Sequence, residues 1–266
     1  MTPAEQFLHA FHTAHPGSTA TAISQWSLDD TGRSSYEFLA DFLVEQAGGD
    51  VVLDLACGDG VLAERLLTAA GGPLAVIGVD ASPFELRKAR QRLRKRAVVH
   101  NGLADCMPIP DSEVAAVGCH MALMLMESIE DVIDEIDRVL MPGGALGAVI
   151  GPVGDVEPAQ QIFQRLYDAL PAEYRREAPT LGDLRTRSAA ELESLLTPHF
   201  SRIEITPHRL WTEGTAEALW PSLALTYETF ALREEGRAAL EVAFSEAVGT
   251  ETVRCGYGVL MVRAWK

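Results

Sequence analysis

The alternation of apolar and polar positions opens with two amphipathic stretches, 3–14 and 34–47, whose spacing predicts helices. The polar stretch "HPGSTATAISQW" separates them. From residue 51 short apolar runs alternate with helical periods. Val51–Leu55, Leu74–Asp80, Ala97–His100, Val114–His120 and Gly144–Gly151 read as strands. Val61–Ala70, Pro83–Arg96 and Ile129–Leu140 read as helices, the last stopped by "MPGG". Ser82 as N-cap, Pro83 at the first helical position and Glu85 form the pattern of a capping box. Strands this apolar, with helices between them, predict a parallel sheet covered on both faces.

After Gly151 the rhythm breaks. Residues 152–187 hold a helical stretch, Ala189–Phe200 predicts a helix and Ser201–Trp211 a strand. A second irregular or helical segment spans 212–252, and "GYGVLMVRAW" closes as a last strand. Two insertions therefore interrupt the end of an α/β domain. At the C-terminal edge of such sheets, insertions carry substrate recognition.

Composition narrows the partner. The chain of 266 residues is 47% hydrophobic and carries a formal charge of −16, so its surface repels polyanions. A small molecule is the expected partner, not nucleic acid or membrane. "RKARQRLRKR" at 87–96 packs seven basic residues into ten, but without interleaved aromatics it reads as the solvated face of one helix. Cys57, Cys106, Cys119 and Cys255 form no C-x-x-C pair and no zinc spacing, which suits reduced cysteines in the cytosol and no metal. No leader pattern and no 18-residue apolar run occurs, so neither secretion nor membrane spanning is expected.

The chemistry concentrates in "VLDLACGDGVLAERLL". Gly58-x-Gly60-x-x-Ala63 follows a strand and opens a helix, with Asp80 at the tip of the next strand, as in nucleotide-binding turns. Glycine lets the backbone approach a ligand, and the acid accepts from ribose hydroxyls. That pattern alone leaves NAD and other adenosine ligands open. Asp54 and Asp59 would repel a pyrophosphate in a poorly screened pocket and favour a cation. S-adenosylmethionine, with a sulfonium and an ammonium, suits such a turn.

"VLDLACGDG", "IGVDAS", "NGLADCMPIPDSEVAAVGCH" and "RVLMPGGAL", in this order, resemble class I S-adenosylmethionine-dependent methyltransferases of the bacterial small-molecule type. The resemblance is good over about 50–151 and looser at 189–211 and 254–265. It implies a Rossmann-like α/β fold of seven mostly parallel strands, ordered 3-2-1-4-5-7-6 with the last antiparallel. Residues 49–266 would form this core, with lid insertions at about 152–187 and 212–252; residues 1–48 would form a helical segment covering the site. Where the family motif has its first glycine, this chain has Ala56. The resemblance implies that Asp54, Ala56, Gly58 and Gly60 hold the methionine and ribose part, that Asp80 takes the ribose hydroxyls, and that Ala81, Ala104 and Asp105 meet the adenine.

His120 ends the fourth strand of that core, where the fold presents side chains to the methyl group; it is a candidate base or a cofactor contact. His208 is a second candidate base. Cys119 lacks the Pro-Cys that cytosine-C5 methylation would need, and no Asn/Asp-Pro-Pro-aromatic stretch points to nucleobase amines. Trp220, Tyr227 and Phe230, spaced by seven and three, predict one helical face over the cofactor mouth, with Trp26 and Tyr36 closing the other side. The expected activity is methyl transfer to an O, N or C atom of a small molecule. An NAD(P)-dependent oxidoreductase and a protein that binds the cofactor without methylating remain the alternatives.

Overall fold

Seven consecutive residues of Val114–His120 are buried, which is possible only for a strand with covered faces and a neighbour on each side. The computed structural model, which describes residues 1–266, puts this strand at the centre of one eight-stranded sheet. The strands are β1 (Ser27–Leu28), β2 (Val51–Leu55), β3 (Ala75–Asp80), β4 (Val98–Asn101), β5 (Val114–His120), β6 (Leu140–Val156), β7 (Arg202–Gly214) and β8 (Val253–Trp265). Their order is β4-β3-β2-β5-β6-β8-β7-β1. The five strands from β4 to β6 are parallel, and β8 runs antiparallel to both β6 and β7. Without β1 this is the expected order. The eighth strand is the correction: just after the polar stretch, which itself forms the short helix Ser18–Ile23, Ser27–Leu28 pair with Leu210–Trp211 at the edge.

The helices are α1 (Pro3–Ala14), α2 (Ser18–Ile23), α3 (Ser35–Ala47), α4 (Val61–Ala69), α5 (Pro83–Leu93), α6 (Ile129–Val139), α7 (Pro158–Ala169), α8 (Ala189–Leu196), α9 (Ala216–Leu223), α10 (Tyr227–Phe230) and α11 (Glu234–Val248). One core joins α3, α4 and the inner residues of α5 to one sheet face and continues into the insertion helices α7, α9 and α11. The other core joins α6 and α8 to the opposite face. The helix before "MPGG" ends as expected, within one residue, and the stretch itself belongs to the next strand. Val139 ends α6, β6 begins at Leu140, and the pairing register with β5 shifts between Val114 and Ala116 to absorb the glycines.

The N-terminal stretch is not all cover. α3 lies directly on β5 and β6, and two glycines make room for it. A Cβ at Gly118 would lie 2.5 Å from Leu43 Cδ1, and one at Gly147 would lie 2.8 Å from Leu39 Cδ1. Gly118→Val is expected to lower the unfolding free energy by about 1–3 kcal/mol, as overpacked cores do. Gly72→Ala, whose Cβ would meet only the Ala70 carbonyl oxygen at an ordinary 3.8 Å, serves as the control. Urea midpoints measure both, and equal midpoints would show that α3 yields to the added methyls.

Candidate active site

The parallel strands end along one edge, where the N–H groups of the turns and helix starts that follow lack main-chain acceptors and buried acids take them up. Asp54, at the end of β2 and 1% exposed, accepts from Ala63 N in the first turn of α4 at 3.0 Å. Asp80, at the end of β3, accepts from Gly58 N at 2.8 Å through one oxygen and from Ser82 N at 2.7 Å through the other. Burial pushes both carboxyls above their ordinary range, Asp54 well above it. The turn between β2 and α4 is left-handed at Ala56 (φ 54°), Gly58 (φ 51°) and Gly60 (φ 85°).

A cavity of about 600 Å³ opens on this edge. Asp54, Ala56, Gly58, Asp80, Ala81, Ala104, Asp105 and His120 line it. Gly60 does not, contrary to expectation. It caps α4, and a Cβ there would lie 3.0 Å from Leu93 Cδ1, so this glycine lets α4 close on α5. The expected pair of free acids also needs correction. Asp59 lines the cavity, but its carboxylate pairs with Arg92 at 2.6 Å, and Arg92 Nε donates to the Asp59 carbonyl at 2.9 Å. With Asp54 drawn toward its neutral form, this wall is less acidic than its composition implies.

His120 is 7% exposed at the end of β5. Its Nε2 lies 2.9 Å from Ser35 Oγ, and its ring stacks on Tyr36 with centroids 3.6 Å apart at 17°. Its Nδ1 is buried and has no partner within the chain. Burial lowers its pKa to about 3. The imidazole is therefore neutral at physiological pH, held by two consecutive residues of α3.

Glu85 corrects the capping-box expectation. Ser82 Oγ does accept from Glu85 N at 3.3 Å, but the Glu85 carboxylate does not return to Ser82. Its two oxygens accept from Gly17 N at 3.0 and 2.8 Å, and its Oε1 faces His12 Nδ1 at 2.8 Å. The other ring nitrogen of His12 lies 3.5 Å from the Tyr227 hydroxyl. Glu85, His12 and Gly17 all line the cavity, and the sequence placed none of them there, Glu85 reading only as a capping residue. A buried glutamate at a capping position looks like any other capping residue, and only its long-range partners distinguish it.

A second cavity, of about 380 Å³, adjoins the first, with Thr19, Met121, Leu125 and Tyr227 lining both. Among the expected aromatic residues, Tyr36 lines the first cavity, Trp26 the second and Tyr227 both. Trp220 and Phe230 line neither. Trp220 packs on Phe163 and Phe244 inside the insertions, and Phe230 sits edge-on to Phe7 and Phe11. The single helical face fails because 216–230 is two short helices with a break between them, so the spacing does not carry across. His208 lies on β7, its Nδ1 2.7 Å from Asp29 Oδ2, outside both cavities. No group of His, Cys, Asp and Glu side chains is placed to hold a metal ion. No helix is long and apolar enough to cross a membrane.

Residues 52–144 match the family model described as a methyltransferase domain. These residues therefore carry a methyltransferase domain. The chain is 35% identical over 124 residues to a 2-phytyl-1,4-naphtoquinone methyltransferase of Synechococcus elongatus, covering 45% of this chain and 53% of that protein. It is 29% identical over 177 residues to a trans-aconitate 2-methyltransferase of Methylobacterium nodulans, covering 66% of each. The chain thus spans about half to two thirds of the length of these curated relatives. The fold is similar to that of Haemonchus contortus phosphoethanolamine N-methyltransferase 2, solved with phosphomonomethylethanolamine and S-adenosylhomocysteine. That match has a TM-score of 0.59 and 18% identity, over 100% of this chain and 60% of the other. These likenesses leave no support for the oxidoreductase alternative.

The cavity of this methyltransferase domain suits the family's cofactor. The buried, unpartnered His120 Nδ1 calls for a polar ligand atom or water beside it. A neutral imidazole also sets no positive charge against a sulfonium. Both Asp80 oxygens keep a second lone pair beyond their backbone bonds.

Two outcomes follow for the free protein. Ala56→Gly removes a Cβ from a left-handed residue and is expected to raise the unfolding free energy by about 0.5–1 kcal/mol, read from urea midpoints; a loss would show that the turn is unstrained. The second concerns acid. Below pH 6.5 the unfolded chain protonates His120 while the folded one refuses the proton until about pH 3, so stability falls as pH drops through that window. Raised carboxyls at Asp54 and Asp80 act in the opposite sense, but equally in a variant that keeps them. Between pH 6 and 4 the protein should therefore lose about 1.4 kcal/mol per pH unit more than His120→Asn. Parallel stability–pH curves for the two would mean that His120 titrates normally.

Proposed function

We propose that the protein transfers a methyl group from S-adenosylmethionine to a small-molecule acceptor. One observation carries the reading: the strand-edge cavity lined by the Ala56–Gly58 turn and Asp80 meets a second cavity across Thr19, Met121, Leu125 and Tyr227. A donor chamber and an acceptor chamber that share one wall are what a direct transfer needs. The relatives named after a naphthoquinone and trans-aconitate agree with a small acceptor.

When bound, the cofactor supplies a methyl group on a sulfonium, a strong electrophile. The chain's residues position and shield it. Gly58 and Ala56 bring backbone close to the ligand, Asp80 accepts from the ribose hydroxyls, and Ala81, Ala104 and Asp105 bound the adenine. Asp54 holds the turn by fixing Ala63 N. His120, with a pKa near 3, is too weak a base to take a substrate proton at neutral pH, so it serves as an oriented neutral contact. The N-terminal α1 and α2, with the insertions 152–187 and 212–252, exclude water over the junction. The four free cysteines fit a protein of the cytosol.

Titration calorimetry should show binding of S-adenosylhomocysteine and none of NADH, and labelled methyl from S-adenosylmethionine should reach a component of a small-molecule extract. Binding of NADH alone would overturn the proposal. Asp80→Ala should weaken S-adenosylhomocysteine roughly tenfold to a hundredfold, about 1.5–3 kcal/mol. It should also lower stability by about 1–3 kcal/mol, because Gly58 N and Ser82 N lose their buried acceptor. A folded variant with unchanged affinity would restrict Asp80 to the turn.

A further inference from the structure

The second cavity is apolar on most sides. Trp26 and Tyr257 form one wall, with ring centroids 5.7 Å apart, and Tyr167, Leu223 and Met124 form others. Within this surface sits Arg187, the cavity's one basic side chain, contributed by the first insertion. Its guanidinium makes one hydrogen bond, Nη1 to the Pro152 carbonyl at 3.3 Å, at the long end of the range. No carboxylate lies within ion-pair distance of it. Arg165 and Arg176 of the same insertion are exposed to solvent, and the two other partly buried arginines there have partners. Arg185 is paired with Asp183 at 2.5 Å and Glu130 at 2.7 Å, and Arg175 donates to the Tyr167 and Asp168 carbonyls. Arg187 is also the arginine whose pKa burial pulls below the ordinary value. Glu228 lies at the same cavity but is exposed to solvent, and it acts on Arg187 only at a distance.

A half-buried guanidinium that the chain leaves unpaired is a costly arrangement unless something else completes it, and its planar fork matches an oxyanion in two-point contact. We propose that the second cavity is the acceptor chamber and that it takes a mostly apolar, ring-bearing molecule with one anionic oxygen group, held by Arg187. This rests on the methyltransferase reading and specifies its substrate class. Arg187 lines only the second cavity, whereas Met121, Leu125 and Tyr227 line both. The anionic end is therefore the anchor, and the part of the molecule at the shared wall is the part presented for transfer. The ring between them lies against Trp26 and Tyr257.

The test uses the full chain saturated with S-adenosylhomocysteine and two probes with the same bicyclic ring, 2-naphthoate and its neutral counterpart 2-naphthamide. Probe fluorescence reports binding, and calorimetry reports the S-adenosylhomocysteine affinity separately. The naphthoate should bind at least tenfold more tightly than the amide. Arg187→Gln should erase that preference by weakening the naphthoate alone, with the amide and S-adenosylhomocysteine affinities unchanged. Ala178→Trp, at an exposed position on the cavity's rim, should block both probes and leave S-adenosylhomocysteine bound. Equal affinity for the two probes, a naphthoate preference that survives Arg187→Gln, probe binding that survives Ala178→Trp, or binding of neither probe would each overturn the inference. Loss of S-adenosylhomocysteine binding by the unaltered protein would instead overturn the cofactor reading beneath it.

Discussion

Backbone N–H groups in the turns and helix starts that follow buried strands, and at the N-cap of α2, must find acceptors, and in this protein buried carboxylates supply them. Asp54 takes Ala63 N, Asp80 takes Gly58 N and Ser82 N, and Glu85 takes Gly17 N. Each bond ties together two segments that the chain otherwise only places near each other. Asp54 fixes where α4 starts, Asp80 locks the glycine turn of β2 to the tip of β3, and Glu85 fastens the N-terminal segment across both. The ligand cavity is what remains between these ties. Because the same carboxylates set the turn and line the cavity, binding and local stability are coupled there, and a change that loosens one disturbs the other.

The cover is built differently from the floor. The floor consists of strand ends whose geometry follows from the sheet. The cover consists of α1, α2 and the insertions, joined through the aromatic contacts of Phe7, Phe11, Tyr227 and Phe230 and through the His12–Glu85 pair. Tyr227 occupies the junction, with its ring on Phe11 at 4.6 Å and its hydroxyl toward His12. A single insertion residue thus lines both cavities and touches the N-terminal helix.

Within the floor, most of the site was legible before any coordinates. Asp54, Ala56, Gly58, Asp80 and His120 are marked by a local pattern of strand, glycine turn and helix together with the resemblance to a known family; the pattern alone leaves several adenosine ligands open. The residues that pattern missed are those defined by distance along the chain. Glu85 is separated by 68 residues from Gly17, and Ser35 by 85 from His120. Arg187 looks in the sequence like its neighbour Arg185, and the difference is only which of them finds carboxylates.

The sequence by itself determined the alternation of strands and helices and the chemistry of the turn, because these depend on residues within one or two elements of each other; the strand order was implied only by the resemblance of its motifs to a known family. Tertiary structure alone decided the rest. It added Ser27–Leu28 as an edge strand, moved Gly60 from ligand contact to helix packing, and neutralised Asp59 with Arg92. It also sent Trp220, Phe230 and His208 away from the site and left Arg187 unpaired at an apolar wall. In each case the outcome depended on a partner many residues distant, and local periodicity carries no information about which distant side chain will arrive.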